Sequence, residues 1–502
     1  MVTDAGLAYI RRLSCGTIHC RGRWPDNRPR RWCAVARRKR AGLPWPTPRD
    51  MGDLVVSGEP MDRVLLGRLA PDTVEGQLLG LLGRDRGTPA LAAPAGSGVL
   101  VVGASQTGKT SSIMTPAVLR WQGPVIVTSI RSDVLRHSWE AREQAGWPVL
   151  NYNPKNQGGY GSNTWSPLVA AMGDRPWVGA TRMASLLIDA AGMVRERDQD
   201  FWDGAAVRYL APLLLAAATD GPSMEPVIRW LNDEAVAREE VPSRLSAYPD
   251  ALSEAESVWA NYPKLRDSIY ETARVALKAY KDQDVRQTCL ASDAGQLPDI
   301  TPDTVLGTEG KPGATLYIVS PATDWRFFAP LFSALVTSLL DDAYSRAEAD
   351  SKGKLDPPLL LALDEAANIA PIKDLPSYSS TAAGAGIQLI TVLQDLGQAD
   401  EIWGRESTRT LLTNHYGGRL ILGGTVDRET LDWVGEMLGE VDRTRTTQNS
   451  DGVFGRQSTS VSAERQAVAT AAEIRTMARG TALLIAGSYP VARVILKQWT
   501  TI

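Results

Sequence analysis

The chain has 502 residues, 43% of them hydrophobic and 22% charged, with a formal net charge of −3. This is an ordinary globular composition with room for two to four domains and a large core. Four cysteines are too few to staple a chain of this size, and no run of 18 apolar residues is present, so the expectation is a protein of the reduced cytosol with no transmembrane segment.

Residues 10–40 are strongly basic: Arg30, Arg31, Arg37, Arg38, Lys39 and Arg40 are among their cations, and Asp26 is their one acid. Such a segment suits contact with nucleic acid or an anionic membrane face, or a solvated leader. Residues 1–50 are read as that leader, its end marked by the Pro-rich "PWPTPRDMGDL". The stretch "CGTIHC", with His19, has the look of half a zinc site, but its spacing completes no closed ligand set.

Residues 54–93 read as irregular strand and turn, and a packed core is expected from about residue 95. There "SGVLVVGASQTGKTSSIM" fits the phosphate-loop pattern through Gly103, Gly108, Lys109 and Thr110. Its glycines allow turns that a Cβ would forbid, so that successive N–H groups face phosphate oxygens at the start of a helix. Lys109 is placed to reach the β- and γ-phosphates, and the Thr110 hydroxyl to ligate Mg²⁺. The whole loop, Gly103, Ala104, Ser105, Gln106, Thr107, Gly108, Lys109, Thr110 and Ser111, is therefore expected to hold ATP. A β-branched run precedes it, as the motif requires, and Pro116 is expected to bend or shorten the helix that follows.

Two further strands, "GPVIVTSI" (123–130) and "GWPVLNYNP" (146–154), flank a segment of helical spacing, which gives the rhythm of a parallel α/β sheet. The rhythm then stops. Residues 177–300 carry long runs of 3.6-residue periodicity and are expected to form an inserted all-helical domain, with Trp177, Trp202, Trp230 and Trp259 as core anchors. The nucleotide-binding domain is thus expected in two pieces, 51–176 and 301–502.

Strands resume at "ATLYIVSP" (314–321), followed by an amphipathic helix from Trp325. In "LLLALDEAANI" an apolar strand, Leu359 to Leu363, ends in Asp364 and Glu365. Two carboxylates at the carboxyl end of a buried strand are what a nucleotide hydrolase needs beside its phosphate loop: Asp364 to hold Mg²⁺ with Thr110, and Glu365 to polarise the attacking water. The strand "IQLITVL" (387–393) ends in Gln394, placed to contact the γ-phosphate. Strands at 418–424 and 481–487 complete the sheet, and the polar residues 441–466 between them read as a hairpin or mobile loop.

The ordered set "GASQTGKT", "VIVTSIRSDVL", "VLNYNP" with "NTWSPL", the helical insertion, "LLLALDEAANI", "GAGIQLITVLQDLGQ" and "TLLTNHYGGRLILGG" resembles the type IV coupling proteins of the TraG/TraD class, in wording similar to actinobacterial members. The resemblance covers about residues 95–495. It implies a RecA-like P-loop NTPase fold with a mainly parallel central sheet and an inserted all-helical domain, and a hexameric DNA-translocating ATPase using ATP and Mg²⁺. It implies DNA, relaxase or relaxosome proteins and components of a type IV secretion channel as partners, and a place in the cytoplasm at the inner face of the cell membrane. Members usually carry two N-terminal transmembrane helices, which this chain lacks. The expectation is a soluble member, a shortened start or an anchor supplied by a separate protein.

In several members an arginine about twenty residues beyond the acid pair reaches the neighbouring subunit's site, but "SSTAAGAG" stands there in this chain. Arg405, Arg409 and Arg419 are the substitutes, with Arg409 favoured. Two alternatives stand beside the coupling role: an FtsK-like double-stranded DNA translocase, and a receptor for protein substrates in which nucleotide is structural.

Overall fold

A computed structural model of the chain describes residues 45–58, 60–70, 88–193, 200–290, 297–320, 325–450 and 457–499. The basic segment with its "CGTIHC" stretch lies outside the described residues. Packing already begins at Trp45, earlier than the expected end of the leader: Pro46 is buried, and the Arg493 guanidinium sits 4.5 Å from the centre of the Trp45 ring.

The described strands are β1 (Val55–Val56), β2 (Leu65–Leu69), β3 (Ala90–Ala92), β4 (Val99–Val102), β5 (Val125–Ser129), β6 (Val149–Tyr152), β7 (Thr315–Val319), β8 (Leu359–Leu363), β9 (Ile387–Leu393), β10 (Gly418–Leu422), β11 (Glu440–Ser450), β12 (Gln457–Ala467), β13 (Thr481–Ile485) and β14 (Ala492–Ile495). Twelve of them form one sheet in the order β1-β3-β2-β14-β13-β10-β4-β9-β8-β5-β7-β6. From β10 to β6 every pairing is parallel. From β10 outward to β1 every pairing is antiparallel, and β14 joins β2 so that strands from early and late in the chain lie side by side.

Every residue of β4, β5, β8 and β9 is buried, as a parallel sheet covered on both faces requires. The side chains alternate strictly. Leu100, Val102, Ile126, Leu359 and Leu361 join one apolar cluster, while Val99, Val101, Val125, Val127 and Leu360 join another on the opposite face. The second cluster is closed by Ile113, Met114 and Val118 from behind the phosphate loop and by Val134 and Leu135 of the helix Asp133–Gln144.

Between Pro176 and Gln287 the described residues form helices and turns without a strand. Proline opens the helices Pro176–Gly192, Pro249–Trp259 and Pro263–Ala276, where its missing N–H removes no helical hydrogen bond. Asp233 caps the helix Glu234–Arg244 by accepting from the Ala235 and Val236 N–H groups. Trp230 and Trp259 are buried, whereas Trp177 and Trp202 are partly covered. These helices share one continuous apolar cluster with the helix Trp325–Ala349 and one face of the sheet, so the segment enlarges the core. Among the described residues no helix is long and apolar enough to cross a membrane.

Two buried polar groups tie this framework together. The Arg142 guanidinium donates to the carbonyls of Trp121 and Gly123 and to the Thr315 hydroxyl, linking three segments below β5. His415, fully buried, holds the Leu411 carbonyl at 2.7 Å from Nδ1 and the Thr391 hydroxyl at 2.9 Å from Nε2. A carbonyl only accepts, so Nδ1 carries the proton and Nε2 accepts from Thr391. Burial pulls the His415 pKa down to about 4, so the ring is neutral at physiological pH. The polar residues 441–466 fall mainly in a two-stranded ribbon, β11 against β12, and residues 451–456 lie outside the described residues.

Candidate functional site

The phosphate loop leaves β4 between its neighbours β9 and β10, and its shape follows from its residues. The Gly103 N–H donates to the Leu393 carbonyl at the end of β9, and a Cβ on Gly103 would stand 2.8 Å from that of Leu422 on β10. Gly108 has φ +98°, which a side chain would strain. The Thr107 hydroxyl closes the loop onto the Ala104 carbonyl at 2.8 Å. The chain then winds through a wide π turn, Thr110–Met114, into the helix Thr115–Arg120, with Pro116 in its first turn. Pro116 thus gives a short helix behind a widened turn, because it lacks the N–H that would bond to the Ser112 carbonyl.

A cleft of about 580 Å³ opens over this loop. Ser105, Gln106, Gly108, Lys109, Thr110 and Ser111 line it, as do Asp364 and Glu365. Gly103, Ala104 and Thr107 support the loop from behind. Lys109 is 6% exposed, and its ammonium donates to the Gly103 and Ala104 carbonyls. Burial lowers its pKa from the ordinary lysine value, against the opposing pull of Asp364, Glu365 and Asp395.

The Thr110 hydroxyl donates to Asp364 Oδ2 at 3.0 Å across 254 residues of sequence. Asp364 is also held from β5, where the Thr128 hydroxyl donates to its carbonyl at 3.3 Å. Among the described residues its Oδ1 is buried without a hydrogen-bond partner. Burial pushes the Asp364 pKa up to about 6, opposed first by the Thr110 hydrogen bond. Glu365 sits in the left-handed region at φ 52°, ψ 53°, where a non-glycine residue is strained, and the turn aims its carboxylate into the cleft. The Asn368 amide donates to Glu365 Oε2 at 3.3 Å, and Gln398 donates to Asn368 Oδ1 at 2.6 Å.

Gln394 follows β9, whose flanking strands carry the phosphate loop and the acid pair, and it is half-buried outside the cleft lining. Its neighbour Asp395 caps the next helix, Leu396–Trp403, by accepting from the Gln398 N–H at 2.8 Å. Of the three arginine substitutes, Arg419 is excluded. It is buried on β10, and its guanidinium is committed to the Leu412 and Thr413 carbonyls at the end of the helix Arg405–Asn414. Arg405 and Arg409 lie on the exposed face of that helix, paired with Glu429 at 3.5 Å and Glu406 at 3.1 Å respectively.

The cleft contains further residues to which the sequence assigned no role. Arg131, Asp133, Arg136 and His137 come from the loop and helix after β5, Arg479 from the turn before β13, and Trp499 from beyond β14. The three segments that carry them are far apart in sequence, and the order of strands brings those segments together.

The sequence model of the family described as type IV secretory system conjugative DNA transfer matches residues 74–496. The chain belongs to that family. Two curated relatives named conjugal transfer protein TraG are similar to it: that of Agrobacterium fabrum is 23% identical over 361 residues, and that of Rhizobium radiobacter 22% identical over 362. Each match covers 68% of this chain, which spans about half the length of these relatives (52% and 53%). This places the chain with type IV coupling proteins of the TraG/TraD class. Among solved structures, the bacterial conjugative coupling protein TrwB in its unbound form is similar, with a TM-score of 0.61 and 21% identity over 89% of this chain and 96% of that one. TrwB with a non-hydrolysable ATP analogue aligns at 0.61 and 20% identity over 89% and 97%, and TrwB with ADP and Mg²⁺ at 0.61 and 21% over 89% and 97%. The fold is therefore RecA-like, an α/β sheet with an added helical segment.

Proposed function

We propose that this chain is an ATP-hydrolysing coupling protein that recruits DNA, with its bound relaxase, and drives it toward a type IV secretion channel. The single observation that carries this is the Thr110–Asp364 hydrogen bond, which joins phosphate loop and acid pair in one cleft of a conjugative-transfer family member. The cleft's volume suits a nucleotide.

On this reading Lys109 exchanges its two loop carbonyls for the β- and γ-phosphates, while the loop N–H groups cradle them. Thr110 and Asp364 fit a Mg²⁺ ion: a hydroxyl and a carboxylate 3.0 Å apart, with Oδ1 unpartnered, are the hard oxygen donors that ion takes. Bound there, Mg²⁺ supplies neutralisation of phosphate charge. Glu365, held through Asn368 and Gln398, orients the attacking water and accepts its proton. Gln394, outside the cleft lining in this structure, swings in from the tip of β9 to contact the γ-phosphate and passes its loss to the helix that Asp395 caps. Arg409 reaches the neighbouring subunit's γ-phosphate in a ring, most simply a hexamer, at the inner membrane face. The helical segment 177–300 recognises cargo. These roles are supported by the strand order and by the exposure of Arg409.

The test is steady-state ATP hydrolysis by the purified chain with and without single- and double-stranded DNA. DNA-stimulated turnover lost in both Lys109→Ala and Glu365→Gln is expected, with nucleotide binding lost only in the first. Turnover that ignores DNA, or a Glu365→Gln variant as active as the parent, refutes the motor.

A further inference from the structure

The phosphate loop and acid pair account for one part of the cleft lining. A second part is aromatic. Trp499 and His137 are its only aromatic side chains among the described residues, and their rings stack with centroids 4.1 Å apart and planes 29° apart. Both are half-buried, with ring surface left on the cleft. His137 is positioned by the helix Asp133–Gln144, which packs on the sheet through Val134 and Leu135. Trp499 is delivered from the far side. Beyond β14 the Leu496 N–H donates to the Gly480 carbonyl, and Lys497 lies in a hollow with Pro116 and Arg120.

Apart from Ile130 the other side chains of the cleft lining are polar or charged, so the indole held against the imidazole is the one surface there that suits the flat face of a ligand ring. We propose that Trp499, backed by His137, is the platform on which the base of a nucleoside triphosphate stacks. The proposal rests on the reading of the cleft as a nucleotide site and adds to it the group that holds the base. Stacking uses the π face that every base offers, so the platform fixes where the base lies without selecting which base it is. It also makes a residue from beyond the last strand part of the nucleotide site.

The test uses the full chain and two probes, ATP and inorganic tripolyphosphate, each with Mg²⁺, titrated by calorimetry. Tripolyphosphate carries the phosphates and lacks the base. Trp499→Ala is expected to weaken ATP by about 5- to 150-fold, the span of one base–aromatic stack, and to leave tripolyphosphate within about twofold. Trp499→Phe is expected to keep ATP affinity within about threefold, whereas Trp499→Leu, with similar apolar bulk and no ring, is expected to lose it. Unchanged ATP affinity in Trp499→Ala overturns the platform and leaves the nucleotide site standing, as does equal loss of both probes in Trp499→Leu and Trp499→Phe. If the parent chain binds neither probe, the nucleotide reading itself falls and the platform falls with it.

Discussion

Replacing His415 with glutamine tests whether the buried imidazole is a source of acid sensitivity. Its pKa falls from an ordinary 6.5 to about 4 because burial disfavours the charged ring, so between those values the unfolded chain binds a proton that the native chain does not. Stability from this group is full above pH 6.5 and is lost as pH falls through that window toward 4. The whole difference is worth about 3 kcal/mol, of which about 2 kcal/mol has gone by pH 5. Asp364, raised to about 6, titrates in the same range, so the quantity that reports on His415 is the difference between parent and variant. Glutamine can still donate to the Leu411 carbonyl and accept from Thr391. Urea unfolding of parent and His415→Gln at pH 5 and pH 8 gives four free energies. The parent is expected to lose about 2 kcal/mol more than the variant between the two pH values. Parallel pH profiles would refute a neutral buried imidazole, whatever the absolute stability of the variant.

Three further outcomes follow from particular contacts. Arg409→Ala is expected to leave ATP affinity of isolated subunits within about twofold and to lower turnover of the assembled protein by about a thousandfold or more; unchanged assembled turnover removes Arg409 from the neighbouring site. Gly179→Ala puts a Cβ 1.7 Å from the Ala170 carbonyl oxygen, so the helix Pro176–Gly192 must shift, and denaturation should show a loss of about 3 kcal/mol or more. Arg142→Met strands the buried Trp121 and Gly123 carbonyls and is expected to lose at least about 3 kcal/mol by the same measurement; a near-neutral result would mean that water replaces the guanidinium.

The parallel half of the sheet was legible because burial on both faces writes itself as short unbroken apolar runs. Leu359–Leu363 ends where such a run does, and Ile387–Leu393 follows one interrupted only by Gln388 and Thr391. The antiparallel half was less so: β13 falls within the strand read at 481–487, but β1 has two residues, and β14 is Ala-Arg-Val-Ile, in which no period can be read. The phosphate loop and acid pair carry their chemistry within a few consecutive residues, so sequence pointed to them directly. Arg479, His137 and Trp499 carry no local signal, because what they share is a cleft made by strand order. Arg419 shows the converse: it reads as one of three substitute arginines, inside the strand 418–424, but its side chain is spent on the end of the preceding helix.

The strand order also sets a timetable for synthesis. β4 takes both of its neighbours, β9 and β10, from the far side of the helical segment, and Thr110 meets Asp364 only after 254 further residues have been made. At about 5–20 residues per second, that is about 13–50 s during which Val99–Val102 has emerged as a bare apolar strand beside a phosphate loop with no acid partner. A nascent chain in that interval cannot bind nucleotide through the finished cleft, and its unpaired strand is open to wrong partners. Ribosome-bound chains halted before residue 364 should therefore engage chaperones strongly, and those halted after β10 should begin to let them go.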